Sequence, residues 1–356
     1  MRRVAIVHDY LTQRGGAERV VLALTAAFPG ARLVTSTYSP DETYPEFANA
    51  DVETLLPSWL PFVANHHRVA FPVLGPAFAW HRIRDVDVVI CSSSGWAHGI
   101  ATDAPKVVYC HTPARWLYAP NDYLLGHGLS VRVTARAAAV PLRAWDARAA
   151  ASAACYVANS SVVRDRIKAA YGRDAEVVHP PMTLDPAGPQ RPVEVGDQPF
   201  LLTVARGRAY KNRRIVEEAA AAIGARLAVV GAPRRAARPG VVHLGAVDDD
   251  QLRWLYANCR GLVAAAYEDF GLTPVEAMAF GKPVLALRAG GYVDSMVEGV
   301  TGRFFDQPEA SALARALEAF DETDFDADAI KRHAASFSLE RFAERMREIV
   351  ASVTST

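Results

Sequence analysis

Glu268 and Glu276 stand eight positions apart in the stretch Glu-Asp-Phe-Gly-Leu-Thr-Pro-Val-Glu. An apolar run, Leu262-Val263-Ala264-Ala265-Ala266, precedes it, and Thr273-Pro274 opens a helical pattern within it. The order is strand, carboxylate, glycine turn, helix start, second carboxylate. Open α/β sheets bind ligands at the carboxyl ends of strands, where a helix start offers free backbone N–H groups to anions. A carboxylate on each side of such an anion site suits a ligand with hydroxyls flanking a diphosphate. A nucleotide sugar has that shape.

The stretch resembles the two-glutamate motif of the retaining family-4 glycosyltransferases. The resemblance begins at Gly15-Gly16-Ala17-Glu18-Arg19 and continues through His111-Thr112-Pro113, Asn159-Ser160 and Val178-His179-Pro180-Pro181. Arg206 with Lys211, and Gly290-Gly291, extend it over almost the whole chain. Each motif alone is weak; the ordered series is not. The resemblance implies an α/β GT-B fold, two facing Rossmann-like domains of doubly wound parallel sheet with an interdomain cleft. It also implies transfer of a sugar from a nucleotide donor to an acceptor hydroxyl, with retention, in glycan, polysaccharide or glycolipid assembly. Cys110-His111-Thr112-Pro113-Ala114-Arg115 and the Gly15-Gly16 segment are most similar to GDP-mannose-dependent mannosyltransferases, so GDP-mannose is the favoured donor. UDP-glucose and UDP-N-acetylglucosamine are the alternatives. A non-catalytic nucleotide-sugar-binding protein on the same fold is the rival from another class, since fold does not fix function.

What the resemblance implies for single residues has a plainer counterpart at most positions. Glu268 would contact hydroxyls of the transferred sugar, or be an exposed acid at a strand end. Phe270, Gly271, Leu272 and Thr273 form the donor-binding turn, the last three presenting backbone N–H groups. Glu276 would take the ribose hydroxyls; the local pattern Thr273-Pro274-Val275-Glu276 equally reads as a capping box with proline at the first helical position. Arg206 and Lys211 would hold the leaving diphosphate by fixed charge, in place of a divalent metal. Arg208, Arg213 and Arg214 crowd the same stretch, so a solvated basic loop is the other reading.

Gly15 and Gly16 separate the first strand from its helix, where glycine lets backbone approach a phosphate. They do not make the Gly-x-Gly-x-x-Gly of dinucleotide enzymes. His111 at a strand end is either a structural histidine or, by the resemblance, a contact to the donor sugar near the reacting carbon. Asp9 and Arg115 are weaker candidates for the acceptor. Asp248-Asp249-Asp250 precedes Leu252, Leu255 and Tyr256 at helical spacing, so it reads as an N-cap and first turn rather than a metal site. The expected catalytic set is His111, Arg206, Lys211 and Glu268, with no metal or other cofactor.

Composition agrees with this class. At 356 residues the chain exceeds what one core usually supports, and a hydrophobic fraction of 51% suffices for two. Formal net charge is zero, which offers no case for a nucleic-acid partner. Cys91, Cys110, Cys155 and Cys259 are scattered, as reduced core residues of a cytosolic protein would be. Arg2-Arg3 precede only four apolar residues, too few for a signal peptide, and no apolar run approaches the roughly 20 residues of a membrane span. The expectation is a cytoplasmic protein. Arg132, Arg136, Arg143 and Arg148, opposed only by Asp146, read as an ordinary surface helix, or alternatively as a peripheral contact with the inner face of the membrane.

The elements follow from apolar runs alternating with helical patterns. Val4 to Val7, Val86 to Ile90 and Lys106 to Cys110 predict strands of a first domain, residues 1–180. A proline- and glycine-rich connection covers 181–197. Phe200 to Ala205, Arg226 to Val230, Val241 to Leu244, Leu262 to Ala266 and Pro283 to Leu287 predict the sheet of a second domain, 198–337, which binds the donor. The amphipathic tail 338–356 is expected to pack back on the first domain, as the resemblance implies. The short loop Gly231-Ala232-Pro233-Arg234-Arg235 departs from the family, which commonly inserts a helix there.

Overall fold

The computed structural model describes residues 2–56, 71–118, 129–205, 211–231 and 238–355, with backbone alone for 71–73 and 129–138. The chain divides into two compact units, one formed by Met1–His179 with Glu340–Thr356, the other by Pro180–Leu339. Each is built on one parallel sheet.

In the first unit β1 (Val4–His8), β2 (Arg32–Thr35) and β3 (Val52–Thr54) are joined by β5 (Val88–Ser93), β7 (Lys106–Cys110), β8 (Cys155–Ala158) and β9 (Ala175–Val177). Their spatial order is β3-β2-β1-β5-β7-β8-β9, while β4 (Arg82–Ile83) and β6 (Ala101–Thr102) form a separate short ladder. The chain winds outward from β1 in one direction and returns to the other side of β1 through β5, so the switch point lies between β1 and β5. Every residue of β1, β5 and β7 is buried, as strands covered on both faces must be.

The second sheet has the order β12-β11-β10-β13-β14-β15, with β10 (Leu201–Val204), β11 (Leu227–Val230), β12 (Val241–Gly245), β13 (Gly261–Ala264), β14 (Val284–Leu287) and β15 (Gly302–Phe305). Its switch point lies between β10 and β13. Successive residues of one strand enter opposite cores: Leu262 and Ala264 pack with Leu202 and Tyr256, whereas Val263 packs with Leu201 and Leu285. This is the period-2 geometry of a strand sandwiched between two helical layers.

Pro180 to Pro199 holds no helix or strand, yet it is part of the second unit rather than a free tether. Leu184 and Val195 are buried against Phe200 in that unit's core. The last helix, Leu339–Thr354, buries Phe342, Ala343, Met346, Ile349 and Val350 along one stripe. Phe342 lies edge-on to Tyr109 at 5.7 Å between ring centroids, and Arg347 Nε donates to the Ala27 carbonyl at 2.9 Å, so this helix belongs to the first unit.

Asp146 does not oppose the surface arginines. It is fully buried, 3.0 Å from His98 Nε2, and accepts a hydrogen bond from Tyr118 Oη at 2.7 Å. Arg143 donates to the Leu117 carbonyl and Arg148 to the Ala144 carbonyl, while the side chains of Arg132 and Arg136 lie outside the described residues. Neither described arginine supports a membrane contact. Among the described residues no helix is long and apolar enough to cross a membrane. The four cysteines are free thiols, three of them buried.

Candidate functional site

Two clusters of polar side chains sit at the two switch points. Each belongs to one unit.

In the second unit, β10 leads toward Lys211 and β13 toward Glu268. Lys211 Nζ is ion-paired with Glu268 Oε1, and both side chains are under one-fifth exposed, at 19% and 18%. Asn212 fixes this approach. It adopts the left-handed conformation at φ +50, caps the helix Arg213–Ala222 and donates from Nδ2 to the Ala265 carbonyl at 2.9 Å. Arg213 and Arg214 instead turn along their own helix at i,i+4 spacing, to a buried Glu217 and a partly exposed Glu218. The structure thus separates Lys211 from its basic neighbours. Arg206, and Arg234-Arg235 of the departing loop, lie outside the described residues.

The loop carrying Glu268 rests on Gly290-Gly291. Gly291 N–H donates to the Glu268 carbonyl at 3.0 Å. A Cβ on Gly290 would lie 2.2 Å from that same oxygen, and its φ of +61 disfavours any other residue. The glycine pair therefore supports the Glu268 backbone from behind.

The helix after the turn runs Leu272–Ala279 and is capped by Gly271 at φ +86, without a side-chain cap. This corrects the capping-box reading of Thr273 and Glu276: Pro274 is the third helical residue and Glu276 the fifth. Glu276 is 5% exposed and accepts from Tyr256 Oη at 2.8 Å. Tyr256 is itself fully buried on the helix Asp249–Asn258. Sequence reasoning placed Tyr256 only on an apolar face; a tyrosine among leucines at helical spacing was the available signal. Phe270 is buried with Phe337 at 5.7 Å between centroids, so its side chain is spent in the core. Asp248 caps its helix by accepting from Gln251 N at 3.0 Å, in a full capping box.

In the first unit, β1 and β5 end in His8 and Ser92-Ser93, and His111 directly follows β7. His8 Nδ1 is 3.0 Å from the Ser92 carbonyl and 3.1 Å from Ser92 Oγ, and Ser92 Oγ is 2.8 Å from His111 Nε2. Burial, with the neighbouring His8 charge, pushes His111 down to about 3. Burial also acts to lower His8, but the Glu18 carboxylate 3.9 Å from its Nε2, with Asp9 and the Ser92 carbonyl, outweighs it and raises His8 above its ordinary value.

Gly15 caps the helix Gly16–Ala27 with extended backbone, so its use is space rather than torsion. A Cβ there would lie 2.4 Å from Glu18 Oε2. The anion at this helix start is Glu18's own carboxylate, 1% exposed, with Oε1 accepting from Gln13 Nε2 at 3.0 Å. Asp9 is likewise spent within the fold: its carboxylate accepts from the Ser94, Trp96 and Ala97 amides at 2.6, 3.1 and 2.6 Å. An acceptor-binding Asp9 does not fit that geometry. Arg115 begins the one-turn helix Arg115–Tyr118 and is half-buried. His8 and Glu18 were not singled out from sequence, although both flank residues that were.

Residues 14–185 match the model described as Glycosyltransferase Family 4, and residues 187–336 match Glycosyl transferases group 1. The chain is 25% identical over 364 residues to human alpha-1,3/1,6-mannosyltransferase ALG2, covering 86% of this chain and 84% of the relative. It is 31% identical over 116 residues to the Dictyostelium discoideum alpha-1,3/1,6-mannosyltransferase ALG2, a match spanning 31% of this chain and only 27% of that protein. Anabaena Alr3699/HepE, solved in complex with UDP-glucose, superimposes with a TM-score of 0.71 at 20% identity over 99% of this chain and all of the other. The two parallel-sheet units are those of the GT-B fold.

Proposed function

We propose that this chain, which belongs to the family-4 glycosyltransferases, moves mannose from GDP-mannose to an acceptor hydroxyl with retention at the anomeric carbon. A glycosyltransferase using a nucleotide-sugar donor is the coarser statement, and it stands on the matched family models and relatives. The mannosyltransferase relatives support the sugar. The observation that carries the site assignment is the Lys211–Glu268 pair at the β10/β13 switch point, beside a helix start and a buried Glu276.

In this reading the diphosphate meets the amides of Gly271, Leu272 and Thr273 together with Lys211 and Arg206. Glu268 takes hydroxyls of the sugar, and Glu276, oriented by Tyr256, takes those of the ribose. The acceptor oxygen bonds to the anomeric carbon as the bond to the phosphate oxygen breaks. The acceptor proton passes to a donor phosphate oxygen, and the nucleoside diphosphate leaves. The negative charge that grows on it is stabilised by fixed cations, so no divalent ion is required. Arg115 is retained for the acceptor, a glycan or lipid-linked saccharide.

A second reading keeps the reaction and changes the donor to a UDP-sugar, favoured by the UDP-glucose bound to the Anabaena protein. A thermal-shift panel of GDP-mannose, UDP-glucose, UDP-N-acetylglucosamine and ADP-glucose separates the two. Stabilisation by GDP-mannose above the others supports the first. No shift with any nucleotide sugar would remove the transferase assignment of this site.

A further inference from the structure

We propose that His8, acting through Ser92, locks His111 as the neutral imidazole bearing its hydrogen on Nδ1, so that His111 is a fixed hydrogen-bond donor and never a base. His8 and Ser92 are positioning residues in this scheme.

The assignment follows from hydrogen counting. The Ser92 main-chain carbonyl can only accept, so His8 Nδ1, 3.0 Å away, carries a hydrogen in either charge state. Ser92 Oγ lies 3.1 Å from that same N–H and accepts a share of it. Ser92 is fully buried, and the partners of its hydroxyl among the described residues are the two imidazoles. If His111 Nε2 also carried a hydrogen, Oγ would face two donors and its own hydrogen would have no acceptor. The serine hydroxyl therefore donates to His111 Nε2 at 2.8 Å, and the imidazole hydrogen sits on Nδ1. Leaving a buried hydroxyl unpaired is costly, so the tautomer is strongly biased.

The charges around the pair act in the same direction. Glu18 Oε1 is 3.9 Å from His8 Nε2, and Asp9 follows His8 in the chain, so both carboxylates favour the charged form of His8. A charged His8, with rings 6.3 Å apart, opposes a second charge on His111. Tyr109, the other titratable ring packed on His111 at 5.4 Å, is neutral because burial raises it. His111 Nδ1 has no hydrogen-bond partner among the described residues and stands at the carboxyl end of β7. A group of this kind recognises an oxygen acceptor such as a sugar hydroxyl. It cannot take a proton from one.

That last role rests on the proposed transferase function; the tautomer does not. Long-range proton–nitrogen correlation spectra of the full chain, labelled at histidine nitrogens, read the tautomer without substrate. The expected result is a His111 signal of an unprotonated Nε2 and a protonated Nδ1, unchanged from pH 8 to pH 5. In Ser92→Ala the His111 titration should move up by at least one pH unit, and Ser92→Thr, which keeps the hydroxyl, should restore it. A wild-type His111 protonated on Nε2, or titrating near 6.5, would overturn the proposal even if every variant misfolded. A failed transferase assay with the expected spectrum would instead remove only the proposed function.

Discussion

Lys211 and Glu268 are 57 residues apart in sequence and form an ion pair at the switch point of the second sheet. In the proposed reaction the pair joins two chemical roles, a cation for the diphosphate and a carboxylate for the sugar, in one element. Partly buried ion pairs contribute little net stability, because desolvation offsets the attraction, but loss of one partner leaves the other uncompensated. A pair of this kind fits the site role proposed above better than a role in folding. Lys211→Ala is expected to lower turnover by about two to three orders of magnitude, as loss of one preorganised charge stabiliser does. Steady-state kinetics with the preferred donor check this, and turnover within threefold of wild type would remove Lys211 from the mechanism.

Glu276 and Tyr256 give a separable pair of variants. Tyr256→Phe removes a buried hydrogen bond to a carboxylate, with an expected stability loss of about 1.5–3 kcal/mol and a smaller loss of nucleotide affinity. Glu276→Ala should weaken nucleotide binding in the first place. Denaturant titration and calorimetry on both variants distinguish these patterns. If Glu276→Ala changed only the unfolding midpoint, the carboxylate would be a packing element.

Gly290→Ala forces a methyl against the Glu268 carbonyl, 2.2 Å away before any shift. The backbone must move, and the movement is delivered to Glu268. A stability loss of about 1–3 kcal/mol is expected from the overpacking and the positive φ. Catalytic efficiency should fall further than that figure accounts for when measured well below the unfolding temperature. Equal kinetics would mean that the glycine pair supports the fold alone.

The two strand-end histidines predict opposite pH limbs of stability. His111 has a folded value of about 3, below the ordinary 6.5, so its contribution is present above pH 6.5 and is lost as pH falls. His8 is raised, so its contribution is complete below 6.5 and is lost as pH rises through the folded value. Melting temperature should therefore decline on both sides of about pH 6.5. His111→Asn should flatten the acid limb and His8→Asn the alkaline limb. Variants with unchanged limbs would contradict the assignment.

Most strands were legible because strands covered on both faces are apolar runs. β5 extends to Ser93, beyond the apolar run, because Ser92 and Ser93 are buried as polar network members rather than turned to solvent. Val195 and Leu184 escaped notice since prolines around them mask an apolar contribution that needs no regular structure. The helix start at Leu272 was misplaced by Pro274, a strong first-position signal that Gly271 overrides by capping in the left-handed conformation. Glu268, Glu276, Lys211 and His111 stand out in the sequence as individual residues. Their partners Lys211–Glu268, Tyr256–Glu276 and His8–Ser92–His111 are set by strand order, which no local spacing encodes.

The central claim is that a nucleoside diphosphate is gripped by protein groups at the Lys211, Glu268 and Glu276 site, without a divalent ion. Calorimetric titration of GDP and UDP into the full chain, with EDTA present, tests it most directly when Lys211→Ala is run beside wild type. One of the two nucleotides should bind wild type in EDTA and bind the variant at least about tenfold more weakly, a difference of 1.4 kcal/mol. Binding that disappears in EDTA, or that is equal in wild type and Lys211→Ala, would contradict the account.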